Sequence, residues 1–383
     1  MLNKINFLTA GESHGKGLLG IIEGIPAGLE INQKYIDHQL SRRQKGFGRG
    51  GRMKIEKDSA EIYTGVRLGA TLGSPIGLII QNLDWENWKD IMNVDNPNHK
   101  LEKITLPRPG HADLAGIMKY GFDDIRNVIE RSSARETTMR VGLGSICRKL
   151  LEDLNIYVAS HVTQIHNIKD INQSYNYEVK DINHKADQSE IRTLNKNIES
   201  DMIDTIKKAQ KQGDTVGGQF QILISGVPYG LGSYTAWNKK LNAKLAESIC
   251  SINAIKGVSF GANNASDSLG SQLHDEIEYK NNQFIRTKNN SGGIEGGMSN
   301  AQTIIINATM KPLSTLTQPL KSVDIATKEK KLAHKERTDS CAVPAAGIIG
   351  ESMACIVIAD TILEKFGGDS MSELLEHFKS AQY

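Results

Sequence analysis

Apolar residues recur along this chain with two periods, and the switch from one to the other marks out its elements. Alternation of apolar and polar or small residues, the period of a half-buried strand, runs from Leu18 to Ile25, from Ile156 to Ile165 and from Phe220 to Pro228. Glu61 to Asn82 predicts two strands folded about Gly73-Ser74-Pro75, and further strands are predicted at Val258–Gly261 and from Gln302 to Pro312. The helical period appears at Met139, Leu143, Ile146, Leu150, Leu151 and Leu154, and again at Leu241, Leu245, Ile249 and Ile252. Ser133-Ala134-Arg135-Glu136 precedes the first of these and has the form of a capping box. Ala345 to Phe366 is a run of small and apolar residues interrupted by Glu351 and Asp360, which predicts a buried core helix and not a membrane span. Lys34 to Lys45 reads as a polar helix. Residues 166–212, rich in Asn, Lys, Asp and Ile, show little periodicity before Met202 and read as a peripheral insertion, and 367–383 as a C-terminal tail.

Composition narrows the class. A chain of 383 residues with 39% hydrophobic content can bury a large core, and no linker divides it, so one domain over 1–383 is the expectation. Lys+Arg (46) and Asp+Glu (44) nearly cancel, which argues against a nucleic-acid binder and makes any attraction for anions local. Cys147, Cys250, Cys341 and Cys355 are scattered without metal-ligand spacing, a usage that suits a reducing compartment; no metal site is expected. The stretch MLNKINFLTAGESHG carries no apolar run long enough for a signal peptide or a span, so a cytoplasmic protein without a membrane partner is expected.

Chemistry-bearing residues gather in turns. Arg108-Pro109-Gly110-His111 is a rigid reversal that holds His111 on a loop. The helix start at Ser133 would offer unpaired N–H groups to an anion, with Arg131 and Arg135 beside it. Gly11-Glu12-Ser13-His14-Gly15-Lys16-Gly17 superficially resembles a phosphate-binding loop, but it is one residue short and has Gly17 where a hydroxyl should hold magnesium. Gly46, Gly48 and Gly51 spell G-x-G-x-x-G without a preceding apolar strand, which excludes a dinucleotide turn and leaves a basic loop carrying Arg43, Arg49 and Arg52. That loop could also be a solvated surface or an RNA contact, although Phe47 is its lone aromatic. Lys311 to Thr315 puts a lysine and two hydroxyls at the tip of a strand, a phosphate grip, and Arg337-Thr338-Asp339-Ser340 precedes the long core helix. Histidines and an aspartate suit proton transfer near neutral pH, and arginines suit carboxylates and phosphate. The residues by themselves indicate an enzyme acting on a small polyanion, with a phosphorylated cofactor as one option.

Taken in order, the blocks TAGESHGKG, IIEGIPAGLEI, RRQKGFGRGGRMKIEKD, SPIGLII, RPGHADLAG, ERSSARETTMRV, GDTVGG, SINAIKGVSFG, GGIEGGMSN and ERTDSCAVPAAG resemble the chorismate synthase family over roughly residues 5 to 365. The resemblance implies an α+β fold, a sandwich of helices between antiparallel sheets in a single large domain, assembled as a homotetramer. It implies anti-1,4-elimination of phosphate from 5-enolpyruvylshikimate 3-phosphate to give chorismate, with reduced FMN required and no net redox change. Carried over by motif, His14 resembles the general acid at the departing phosphate, His111 the histidine beside the flavin N1–C2=O edge, and Asp339 the acid near flavin N5. Arg43, Arg49 and Arg52 are similar to the family's substrate-binding arginines, Arg43 and Arg49 also being candidate NADP contacts. The flavin contacts implied are Arg131, Ser132, Ser133, Asn253, Ala254, Gly296, Lys311, Pro312, Leu313, Ser314, Thr315 and Arg337. Phe47 stands where tyrosine is common, and Lys311-Pro312-Leu313-Ser314-Thr315 where the family has KPIPT. An FMN reductase fed by NADPH is the alternative activity.

Overall fold

The computed structural model describes residues 2–51, 56–95, 101–172 and 175–380. Among the described residues, the helices longer than four residues are α1 (Gln33–Gln44), α2 (Asp113–Tyr120), α3 (Arg126–Ser132), α4 (Thr137–Asp153), α5 (Val179–Ala186), α6 (Glu199–Lys211), α7 (Leu241–Cys250), α8 (Val343–Phe366) and α9 (Met371–Ser380). The first sheet takes β1 (Asn6–Ala10), β2 (Gly17–Glu23), β3 (Glu61–Thr64) and β4 (Ile76–Gln81) in the order β1-β2-β4-β3, every pairing antiparallel. Leu18 lies opposite Ile80 and Ile22 opposite Ile76, so one face of this sheet is apolar and buried. Helix α4 lies on that face. A Cβ at Gly20 would come 2.5 Å from Met139 Cγ, so the absence of a side chain there sets how closely helix and sheet approach.

The second sheet holds β5 (Tyr157–Ile165), β6 (Gly218–Ser225), β7 (Ile255–Phe260) and β8 (Ile304–Met310) in the order β7-β8-β6-β5, with Ile168–Lys169 beyond β5, again antiparallel. Phe220, Ile222 and Ile224 turn one face of β6 into the core. Between the sheets run α4 and α8, which meet so closely that a Cβ at Gly144 would lie 2.8 Å from the Ser352 carbonyl oxygen. The fold is the α+β sandwich of helices between antiparallel sheets. Helix α8 is apolar all round because it has protein on every side: its most apolar stretch, long enough to cross a membrane, is 100% buried.

Two acids of α8 explain why its apolar run is broken. Glu351 is fully buried and meets Arg42 of α1 (Oε2 to Nη1, 2.9 Å), Arg192 (3.1 Å), Arg148 of α4 and the Ser160 hydroxyl (2.6 Å). Burial raises its pKa, but the three guanidinium groups outweigh that and hold it down to about 2. Asp360 holds the segment leading into β1: its Oδ1 accepts the backbone N–H groups of Asn3, Lys4 and Ile5 at 2.8, 2.7 and 3.0 Å. The described part of 166–212 holds α5 and α6 with Ile182, Ile191, Met202 and Ile206 buried, and Arg192 from this stretch reaches the central Glu351.

Candidate active site

Three turns converge on the start of α4. Ser133 accepts a hydrogen bond from the Arg135 backbone N–H (3.2 Å) and opens a single 3₁₀ turn, Ala134–Glu136, before the α-helix begins. Glu136 does not turn back onto the cap; it pairs forward with Arg140 at 2.7 Å, so only the serine half of the capping box forms. Arg43, at the end of α1, donates to the Ala134 carbonyl (2.8 Å) and the Thr137 hydroxyl (2.9 Å). Burial pushes its guanidinium down to about 9, with Asp58 acting in the opposite sense, so it stays charged at neutral pH. Arg135 pairs with Asp58 and donates to Asn82 Oδ1 (2.9 Å), while the Asn82 amide holds the Gly15 carbonyl at 2.8 Å. The loop bearing His14 is thereby tied to the helix start.

His14 sits 9% exposed at the end of that loop. Its ring Nδ1 is 2.9 Å from Glu130 Oε1, and Glu130 Oε2 also accepts its backbone N–H at 2.8 Å. Trp88 stacks on the imidazole with 3.7 Å between ring centroids and 25° between planes. Arg126 lies over the Trp88 ring and donates to Glu130 (3.2 Å) and Glu336 (3.0 Å), and Glu336 also holds His334 at 3.1 Å. Burial alone would raise the Glu130 carboxyl, but its bonds to His14 and the Arg126 charge bring it below the usual carboxylate range. Glu336 behaves likewise, brought down to about 2 against its burial by His334 and Arg126. Ser13 donates to Ser133 (3.0 Å), closing the loop onto the helix start.

His111 is braced locally. Its Nδ1 lies 2.6 Å from Oδ1 of Asp113, a fully buried residue at the start of α2, and Arg108 grips the same carboxylate through Nε (2.8 Å) and Nη2 (3.0 Å). Those contacts outweigh burial and depress the Asp113 carboxyl. Arg108 also donates to the Thr315 hydroxyl (2.9 Å), and Lys311 Nζ to the Gly110 carbonyl (2.6 Å), so the turn at His111 docks on the loop 311–315. That loop joins the first cluster through Asn253 and Ala254: Lys311 N–H donates to the Ala254 carbonyl (2.9 Å), and Asn253 Nδ2 to the Ser132 carbonyl (3.0 Å). Ala254 is held at φ 66°, in the left-handed region.

Asp339 accepts the Gly50 N–H at 2.6 Å and pairs with Arg49 at 3.3 Å. A Cβ at Gly50 would lie 2.6 Å from the Thr338 carbonyl oxygen, so the glycine is what lets the basic loop lie against residues 338–339. Arg49 also lines a cavity of about 540 Å³ with Arg42, Lys45 and Arg192, which neither His14 nor His111 lines. Arg337, 55% exposed, holds Asp84 in the turn that carries Trp88 (3.2 Å). Arg52 lies outside the described residues.

The structure gathers His14, Arg43, Ser132, Ser133 and Asn253 around one helix start, docks the His111 turn on Lys311 and Thr315, bonds Lys311 to Ala254, sets Arg337 on Asp84 behind Trp88, and seats Asp339 on the basic loop. Pro312, Leu313 and Ser314 complete the loop at 311–315, where Leu313 accepts from Thr215 at 2.7 Å. The guanidinium of Arg131 turns toward β1, donating to Thr9 (2.6 Å) and Gly11 (3.1 Å) carbonyls. Gly296 sits in the turn between Ile294–Glu295 and Met298–Asn300, a short hairpin beside α7. No hydrogen bond among the described residues ties it to the histidines. Glu130, Trp88, Arg126 and Glu336 did not emerge from the sequence. The i,i+4 spacing of Arg126 and Glu130 was visible, but it reads as an ordinary helix-surface pair.

Two imidazoles, each with a carboxylate on Nδ1, stand among arginines that face a helix start. This set defines an enzyme doing acid–base chemistry on a small anion. A family model for chorismate synthase matches residues 5–363. The chorismate synthase of Alkaliphilus metalliredigens is 52% identical over 377 residues, covering 97% of this chain and 98% of its own. That of Enterococcus faecalis is 48% identical over 380 residues, covering 98% of each chain. A crystal structure of chorismate synthase superposes with a TM-score of 0.81 at 37% identity, covering 99% of this chain and 98% of the other. The chain belongs to the chorismate synthase family. Its reaction is that of a carbon–oxygen lyase, elimination of phosphate from 5-enolpyruvylshikimate 3-phosphate to give chorismate in the shikimate route to aromatic amino acids. The family requires reduced flavin.

Proposed function

We propose that the loops carrying His14, His111 and Asp339 form one active site for this elimination, with FMN as the flavin. The observation that carries the reading is the continuous set of contacts linking the two loops that bear the histidines: the His14 loop, held at Gly15, through Asn82 and Arg135 to the helix start, and the His111 turn, held at Gly110, through Lys311, Ala254 and Asn253 to Ser132. The donor chemistry fits a phosphorylated, electron-rich ring. Lys311, Ser314 and Thr315 are half-buried at one rim, and Asn253 Oδ1 is a buried acceptor with no hydrogen-bond partner among the described residues. Arg131, Ser132, Ser133, Asn253, Ala254, Gly296, residues 311–315 and Arg337 would hold FMN. When bound in reduced form, it supplies electron density to the reacting system without net oxidation.

The chain's own residues carry protons and charge. Loss of phosphate develops negative charge on the leaving oxygen, and His14, with Nδ1 bound to Glu130, presents Nε2 as the site of a proton for it. Arg43, Arg49 and Arg52 would bind the substrate's phosphate and carboxylates, since guanidinium matches both bidentately. His111, fixed by Asp113 and Arg108, would hold a proton for the reduced flavin. Asp339 would take part in removing the proton that the substrate loses. The test is an anaerobic assay with the enolpyruvyl substrate and dithionite-reduced FMN, following phosphate release in the wild type and in His14, His111 and Asp339 variants. Wild-type turnover in all three would remove the assignment. A homotetramer in the cytoplasm is part of the same proposal, as is NADPH as a reductant bound near Arg43 and Arg49; light scattering and NADPH consumption test these separately.

A further inference from the structure

We propose that Glu130 is a positioning residue for His14, locking the ring in one tautomer and one plane so that Nε2 is the nitrogen offered to the departing phosphate. The inference rests on the reading of His14 as proton donor given above. One carboxylate grips both the backbone N–H and the ring Nδ1 of His14, at 2.8 and 2.9 Å, so it fixes the loop and the imidazole together. Glu130 is 4% exposed, which keeps water from competing for the ring. Trp88 stacks on the ring at 3.7 Å and is itself held by Asp84 through its indole N–H (3.2 Å), so rotation of the imidazole is blocked. A carboxylate on Nδ1 places the proton of the neutral ring there and leaves Nε2 to gain and lose the transferable one.

Other charged groups stand around His14, its loop and Trp88. Arg126 comes from α3, Glu336 and behind it His334 from the segment before α8, Asp84 from the turn after β4, and Glu12 from the histidine's own loop. Glu130 is the one bonded to the imidazole. Arg126, shared between Glu130 and Glu336, keeps the Glu130 carboxylate from swinging away. A carboxylate present only to neutralise Arg126 would have no need to contact the ring.

The test uses the full chain with reduced FMN and substrate for kinetics, and ¹⁵N-histidine labelling for the ring, with His14→Ala identifying the His14 signals. In the wild type the neutral ring of His14 is expected to carry its proton on Nδ1. In Glu130→Gln, kcat is expected to fall roughly tenfold or more with KM little changed. The alkaline limb of the kcat profile is expected to move to lower pH, because the variant removes the negative charge bonded to the ring. Glu130→Asp, which keeps the charge, is expected to keep that limb near its wild-type position. An unmoved limb and unmoved ¹⁵N shifts in folded Glu130→Gln would overturn the inference, as would a proton on Nε2 in the wild type, a readout that needs no variant to fold. If His14→Ala turns over normally, the donor reading itself fails; if His14→Ala is inactive while Glu130→Gln keeps limb and tautomer, only the positioning role fails.

Discussion

Both histidines are committed through Nδ1 to a carboxylate, but the two braces are built differently. Asp113 lies two residues from His111 and its bond forms within one turn, whereas Glu130 comes to His14 from 116 residues away. For the first, the turn Arg108-Pro109-Gly110-His111 was legible as a fixed loop but its Asp113 brace was not; the second depends on β1, β2 and α3 being packed together and was not legible at all. Replacing either histidine by alanine is expected to slow phosphate release by roughly two to four orders of magnitude, the scale for loss of a general acid or base. Asp339→Asn should lower kcat more than it weakens substrate binding, because the amide still accepts the Gly50 N–H. Isothermal titration with substrate beside the turnover assay separates the two; weaker binding with kcat retained would move Asp339 to a binding role.

At the scale of elements, periodicity located β2, β4, β5, β6, β8, α4, α7 and α8 because each has one face or its whole surface in the core. It had less purchase on residues 166–212. There α5 and α6 bury few apolar residues each; Ile191, Met202 and Ile206 join the main core without a regular spacing across the stretch, and Arg192 adds a polar tie to Glu351. A buried carboxylate shared by Arg42, Arg148 and Arg192 fixes α1, α4 and α8 relative to one another. Glu351→Gln would leave those guanidinium groups without their anion, and a loss of roughly 3–5 kcal/mol in urea unfolding is expected. The sign of its pH dependence follows from a depressed folded pKa. The contribution is complete above the ordinary carboxyl value of 4.5 and is lost as pH falls toward about 2, so the gap between wild type and Glu351→Gln should narrow over that range. A gap independent of pH there would show that packing, not charge, is what the substitution removes.

For the molecule as a whole, near-neutral net charge (+2) coexists with a site rich in arginine, because most of those arginines face carboxylates: Arg43 and Arg135 share Asp58, Arg108 has Asp113, and Arg126 has Glu130. Attraction for a polyanion is therefore short-ranged and confined to the gathered loops. With free FMN and no added reductase, steady NADPH oxidation would identify a second, reductase activity, and its absence would leave the elimination as the sole reaction; absorbance at the NADPH band decides.

Asp360 gives the molecule an order of assembly. Residues 3–5 find their backbone acceptor on a helix that the ribosome makes some 350 residues later, so β1 can pair with β2 early while the segment leading into it waits for α8. Nascent chains arrested before Val343 are expected to be cut by protease within their first thirty residues, and released chains to resist; equal resistance in both would mean the early sheet matures without its latch.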